Sequence, residues 1–226
     1  MEFDNITQRI GFFISKEILN TPADVTDAIK ELSDYSFLPS AETDDDDENQ
    51  SLRLELTTKD KKHIVIVQGK NINVIRNKMA DEEILDSIQQ HLDTASGIME
   101  KLKVKFGFEV ANVAVECDYL TEATEFASKT LYKKYMSDDD IPVAWRFNRL
   151  YKRTAGVANE IICMEHESCM RDDVQLRYED KPTDRLIMEL SWGTVFEKTP
   201  TEELISASFR YFFEQTTAKI QLYNGL

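Results

Sequence analysis

Three residues that could bind a metal lie close together in the segment ICMEHESCM, residues 162–170. Cys163, His166 and Cys169 follow one another at intervals of three residues. Thiolate and imidazole groups are zinc ligands, but four such groups must converge on one point. The segment alternates like a strand, and an odd separation sends Cys163 and His166 to opposite faces of a strand. The pattern therefore favours a partly buried strand with incidental thiols, and a metal site formed by these three residues is the alternative.

A second candidate site is the segment WRFNRLYKR, residues 145–153, in which aromatic and cationic residues interleave. Aromatic rings and cations together suit single-stranded nucleic acid, and Trp, Tyr and Arg also dominate protein interfaces. As a strand, the segment would place its aromatic residues on one face, most simply the core, and Arg149 would share that face. Core packing with intramolecular ion pairs, partner binding and nucleic-acid binding all stay open. The partner-binding interpretation assigns Trp145, Arg146, Arg149, Tyr151, Lys152 and Arg153.

The sequence contains no coherent catalytic motif. Cys117 stands between Glu116 and Asp118, whose charges would raise the pKa of the thiol and leave it unreactive. The seven glycines are spread singly and form no phosphate-binding loop or nucleophile turn. Glu179 and Lys181 have the spacing of a restriction-type nuclease, but they lie in a segment typical of a hairpin turn. We therefore expect a non-enzymatic protein without a cofactor; the alternative is a metal-dependent hydrolase or nuclease with a carboxylate and histidine site.

The chain is strongly acidic. It has 42 Asp and Glu against 27 Lys and Arg, which gives a net charge of −15. Six acidic residues lie in a predicted loop at about residues 38–50: Glu42, Asp44, Asp45, Asp46, Asp47 and Glu48. A negative field of this size repels nucleic acid and anionic membranes and favours solubility or a basic partner. We expect a protein partner with a basic surface, and neither nucleic acid nor a membrane.

Cysteine usage and hydropathy indicate the cytoplasm. Three cysteines, one of them far from the other two, are typical of reduced thiols and not of a disulfide framework. The N-terminus lacks the pattern of a signal peptide, and no segment approaches the ~18 apolar residues of a membrane span. At 226 residues and 42% hydrophobic content, the chain can form a core without disulfides or metal.

Hydrophobic periodicity predicts strands in hairpins, with long helices after them. In the first half, a strand at 6–14 precedes a helix capped by Thr21, three short strands, and a helix at 80–102. The second half follows the same plan, with these predicted elements: strand 110–120, helix 121–136, strands 143–151, 157–168, 174–179 and 185–196, and a helix at 200–222 that begins at Thr199. This order predicts an α+β fold, with antiparallel meander sheets packed against long amphipathic helices.

The repeated order suggests two similar halves, residues 1–104 and 105–226, which would reflect an internal duplication. Residue identity between the halves is negligible, so this prediction rests on element order alone. Unpaired strand edges favour a homodimer. The leading functional hypothesis is a macromolecule-binding protein, such as an acidic inhibitor, an immunity protein or an accessory subunit of a bacterial conflict or defence system.

Overall fold

Nine antiparallel strands form one continuous sheet in the part of the chain that the structure describes. The structure is a computed structural model, and it describes residues 3–40, 52–78, 88–122, 125–136, 145–155, 161–172, 185–196 and 199–225. The strands are β1 (Asp4–Ile14), β2 (Leu38–Ser40), β3 (Arg53–Thr57), β4 (His63–Gln68), β5 (Asn71–Asn77), β6 (Val110–Glu122), β7 (Trp145–Ala155), β8 (Ile161–Asp172) and β9 (Arg185–Val195). Their order across the sheet is β2-β3-β4-β5-β1-β6-β9-β8-β7. The predicted antiparallel α+β fold is confirmed.

Four α-helices pack on one face of this sheet. They are α1 (Pro22–Glu31), α2 (Ile88–Phe106), α3 (Glu125–Tyr135) and α4 (Glu202–Asn224). Phe12 of β1 packs edge to face on Phe209 of α4, with ring centroids 5.8 Å apart. The imidazole of His91 on α2 donates a hydrogen bond to the carbonyl oxygen of Val74 on β5, at 3.2 Å. None of the described helices is long and apolar enough to cross a membrane.

The core lies between the helices and the covered face of the sheet. Ile10, Val74, Val115 and Trp192 form one row across four neighbouring strands, and none is more than 1% exposed. Burial of apolar side chains is worth roughly 25 cal/mol per Å² of surface, so this row anchors the centre of the sheet. The next residue of the row is Glu165 on β8, which is buried although it carries a charge.

The two halves of the chain repeat one plan within the single sheet. Over the described residues, each half has a strand, a helix, a three-stranded meander and a long helix, and β2 has no described counterpart in the second half. The strand orders β3-β4-β5-β1 and β6-β9-β8-β7 mirror each other, and β1 pairs with β6 where they meet. The two halves therefore meet along the β1–β6 pair, which includes Gly11 and Ala114. The predicted boundary at residue 104 falls near the end of α2, and the β1–β6 pair joins the halves.

Helix boundaries show where local signals succeed and where they fail. Thr21 caps α1 as predicted: its hydroxyl accepts a hydrogen bond from the backbone N–H of Asp24, whose carboxylate accepts one from that of Thr21. The predicted start of α4 at Thr199 is wrong, because Thr201 is the cap and its hydroxyl accepts from the N–H of Leu204. Helix α3 begins only at Glu125 because β6 continues to Glu122. The predicted strand at 174–179 lies outside the described residues.

The capping box of α1 gives a first prediction. Thr21→Ala removes the side-chain acceptor at the helix start, so the free energy of unfolding should fall by about 1 kcal/mol. Thr26→Ala is the matched control, because Thr26 lies within the exposed surface of α1 and Ala has the higher helix propensity. Urea denaturation measures both changes. An equal loss of stability in the two variants would contradict the cap assignment.

Candidate functional site

The three residues of the metal-site hypothesis lie on β8 and do not converge. Cys163 and Cys169 are buried on the helix-covered face, whereas the strand register places the half-buried His166 on the opposite face. Burial and the charge of Glu167 raise the pKa of Cys169 to about 12, so this thiol stays protonated at neutral pH. Over the described residues, no three His, Cys, Asp or Glu side chains are grouped so that they could hold a metal ion.

The aromatic residues of β7 pack against α3. Trp145 is buried and meets the ring of Tyr132 edge to face, with centroids 5.8 Å apart. Phe147 stacks on Tyr135 at 3.9 Å, and the guanidinium of Arg149 lies 4.6 Å from the Phe147 ring centroid. Trp145 therefore belongs to the core, the half-buried Phe147 packs on α3, and the guanidinium of Arg149 lies over the rings of Phe147 and Tyr135.

The cationic residues of β7 point to both faces of the sheet. Arg153 donates from Nε to Glu165 at 2.8 Å on the helix-covered face, and its guanidinium lies 4.5 Å from the ring centroid of the half-buried Tyr151. On the other face, Arg146 pairs with Glu189 at 3.5 Å, and Lys152 is exposed. Intramolecular pairing therefore accounts for part of this segment, and the rest stays accessible.

Two other sequence candidates cannot be placed. The six carboxylates of the acidic loop, from Glu42 to Glu48, lie outside the described residues. The same is true of Glu179 and Lys181, the pair behind the nuclease alternative.

A buried ion network lies on β8 between Cys163 and Cys169, and its acidic members are two glutamates. Glu165 and Glu167 are 5% and 2% exposed on the helix-covered face. Lys219 of α4 donates to Glu165 at 2.9 Å and lies 3.1 Å from Glu167. The hydroxyls of Tyr135 and Tyr223 also donate to Glu167. The two carboxylates thus tie α3 and α4 to the sheet.

The sequence contained a signal for this network that we did not use. Glu165 and Glu167 alternate in phase with Cys163 and Cys169, so any strand that buries the thiols also buries the acids. Two buried carboxylates require cations or hydrogen-bond donors, because an unpaired buried charge is very unfavourable. A basic residue on a packed helix could therefore have been predicted, although Lys219 itself could not.

Two members of this network, Glu165 and Lys219, have shifted pKa values. Burial alone would raise the pKa of Glu165, but hydrogen bonds from Lys219 and Arg153 outweigh it, and the pKa lies below its ordinary value. Burial would likewise lower the pKa of Lys219, but the two carboxylates raise it above its ordinary value. At neutral pH the lysine is thus a poor nucleophile and Glu165 a poor proton donor. The network acts as a structural clamp.

A groove of about 500 Å³ crosses the helix-free face of the sheet. Its floor consists of three small residues side by side on β1, β6 and β9, namely Gly11, Ala114 and Gly193. Phe13 and Leu150, at 45% and 64% exposure, stand at its rim. The groove spans the β1–β6 junction, so both halves of the chain contribute to it.

One wall of the groove is a row of side chains that runs across five strands; the first four are polar and the last is a leucine. The register aligns them in this order: Arg9, Glu116, Ser191, His166 and Leu150. Arg9 and Glu116 form an ion pair at 3.5 Å, and both side chains are more than one-third exposed. The groove thus offers both apolar and charged groups to a ligand.

Glycine keeps the floor of the groove open. A Cβ atom at Gly11 would lie 3.1 Å from the side-chain oxygen of Asn73 and 3.9 Å from the Cβ of Ala114. A Cβ at Gly193 would lie 3.8 Å from the same Ala114 atom. Glycine within a strand weakens the strand and often marks a place where another group approaches the backbone closely. Local sequence patterns do not reveal this site, because Gly11, Ala114 and Gly193 are widely separated along the chain and only strand pairing brings them together.

No protein-family model matches the sequence, and no curated protein matches it. Function must therefore be inferred from the groove, the edge strand β7 and the ion network.

The ion network yields a prediction about stability. Glu167→Gln removes the charge that Lys219 and two tyrosine hydroxyls contact, so we expect the free energy of unfolding to fall by about 2 to 3 kcal/mol. In the control Glu189→Gln, the ion pair with Arg146 is partly exposed, and the loss should stay below about 0.5 kcal/mol. Chemical denaturation distinguishes the two. A Glu167→Gln protein as stable as the control would refute the clamp.

The same network predicts how stability depends on pH. Because the pKa of folded Glu165 is lowered, its stabilising contribution is present above the unfolded pKa and is lost as the pH falls through the folded pKa. Wild-type protein should therefore lose stability from about pH 5 downward, and Glu165→Gln should reduce that slope. Urea midpoints between about pH 7 and pH 3 measure it. The uncharged change Thr26→Ala should keep the wild-type slope; an unchanged slope in Glu165→Gln would contradict the assignment.

Proposed function

We propose that the protein is non-enzymatic and binds another protein through the groove on the helix-free face of its sheet. The observation that supports this most directly is the combination of half-exposed apolar side chains with a floor of small residues. Phe13, Leu150 and Val195, the last at 48% exposure, all lie on the sheet face that the described helices leave uncovered. A bound partner would remove this apolar surface from water, which is favourable by roughly 25 cal/mol per Å² buried.

The groove indicates what the partner presents to it. A projecting apolar side chain would contact the small floor, Phe13 and Leu150, and polar groups around that side chain would meet Arg9, Glu116 and His166. Such a mixture of an apolar centre and a polar surround is typical of protein interfaces. The net charge of −15 supports a partner whose surface as a whole is basic, because electrostatic attraction speeds association. An acidic inhibitor, immunity protein or accessory subunit of a bacterial conflict or defence system would have these properties.

The enzymatic alternative has less support in the described part of the chain. Cys163 and Cys169 lie on the face opposite His166, so these residues form no common site. Glu165 and Glu167 are engaged by Lys219 and are not available as a general acid and base pair. No described arrangement of side chains favours a hydrolase or nuclease over a binding protein.

Cross-linking from two matched positions tests the proposal. Benzoylphenylalanine in place of Leu150, at the groove rim, should yield a discrete photo-crosslinked protein in lysate of the source organism. The same residue in place of Leu222, an equally exposed leucine on α4, should not. Ala114→Leu fills the floor and should weaken that partner's affinity by at least about tenfold, because a buried hot-spot contact is lost. Purified partner and surface plasmon resonance give the affinity.

Ala207→Leu is the control for the filling variant, because Ala207 is exposed on α4. It should leave partner affinity unchanged, and both variants should keep the wild-type circular dichroism spectrum. If the captured protein bound the Ala114→Leu variant with wild-type affinity, the groove would not be its binding site. Equal cross-linking from the Leu150 and Leu222 positions would also argue against the groove.

A further inference from the structure

The strand β7 forms a long edge of the sheet. In the described ranges it pairs with β8 alone, over 11 residues, whereas the opposite edge strand β2 has only 3 residues. Eleven strand residues span roughly 35 Å. No described strand pairs with β7 on the side away from β8, and the backbone N–H and C=O groups of such an edge can pair with a strand from another molecule.

The second half of β7 is open on both faces of the sheet. Arg149 and Arg153 on the helix side, and Leu150, Lys152 and Thr154 on the other side, are all exposed. Helix α3 covers only the beginning of the strand, at Trp145 and Phe147. Alternate side chains of an added strand would therefore lie beside β7 residues on both faces of the sheet. Such alternate contacts give strand addition its specificity.

The charge of β7 selects among possible occupants. The strand carries four cationic residues and no acidic one, in a chain whose net charge is −15. Antiparallel pairing with the β7 strand of a second copy would bring like charges together, and opposed like charges destabilise a strand pair. An acidic strand would place opposite charges across the new pair. At physiological salt the Debye length is about 8 Å, so these local charges outweigh distant ones.

We propose that β7 binds an extended acidic segment of a partner protein by strand addition. The segment would pair with the free backbone edge of β7 and place carboxylates beside Arg149, Lys152 and Arg153. This surface shares Leu150 with the groove, but it binds through the backbone edge of β7 and does not use the groove floor. The partner proposed for the groove is basic over its surface as a whole, whereas the segment proposed to bind β7 is acidic only over its own few residues.

Designed peptides test the inference on the unmodified protein. A dye-labelled peptide of about ten residues that repeats Glu-Glu-Val-Val, and so carries carboxylates on both faces as a strand, is compared with one that repeats Lys-Lys-Val-Val. Fluorescence anisotropy at about 0.15 M salt should show the acidic peptide binding at least about tenfold more tightly. A third peptide has the same Glu and Val side chains but is N-methylated on every backbone amide, so neither of its edges can donate a hydrogen bond. It should lose measurable binding, because it cannot form the strand pair.

Variants then locate the binding surface. Lys152→Glu reverses one exposed charge on β7 and should weaken binding of the acidic peptide by about three- to tenfold. Lys30→Glu makes the same change on the exposed surface of α1 and should have no effect. Failure of the acidic peptide to bind at about millimolar concentration overturns the proposal, as does equal binding of the methylated peptide. Ala114→Leu should leave peptide binding intact. If the cross-linking experiment found no groove partner while the acidic peptide still bound, only the groove proposal would be refuted.

Discussion

The structure depends on the alternation of side chains along antiparallel strands, because this alternation divides every strand between a helix-covered and a helix-free face. On β8 it places Cys163, Glu165, Glu167 and Cys169 under the helices and turns His166 toward the groove. Residues that are neighbours in sequence therefore have different surroundings and different roles. A shift of one position in the pairing would bury the imidazole and expose both carboxylates. The ion network thus resists any change in register.

Local patterns were sufficient to predict most elements and the separation of Cys163 from His166. Strand alternation, the Thr21 cap and the helical periodicity all act within a few residues, so one sequence can reveal them. The cap of α4 was misplaced because Thr199 and Thr201 offer the same signal two residues apart. In the folded chain Thr201 is the cap, because its hydroxyl accepts a hydrogen bond from the backbone N–H of Leu204.

Long-range pairing could not be predicted from the same patterns. The β1–β6 pair brings Gly11 beside Ala114, and β9 adds Gly193, but nothing local to any of the three indicates the other two. The contact between Glu165 and Lys219 joins residues 54 positions apart. The edge position of β7 likewise follows from the strand order of the whole sheet. The candidate groove, the clamp and the edge therefore required the structure, whereas the polar residues within them were visible beforehand.

The two faces of the sheet use charge in opposite ways. Under the helices, each carboxylate of the network has a cation or hydroxyl donor, so the charges are neutralised and hold α3 and α4 in place. On the helix-free face and along β7, Arg9, Arg149 and Lys152 retain solvent contact, where they can still exchange water for a partner. Exposed pairs contribute little to folding, at about 0 to 1 kcal/mol each. Their presence around an apolar groove therefore has more consequence for what the protein binds than for how stable it is.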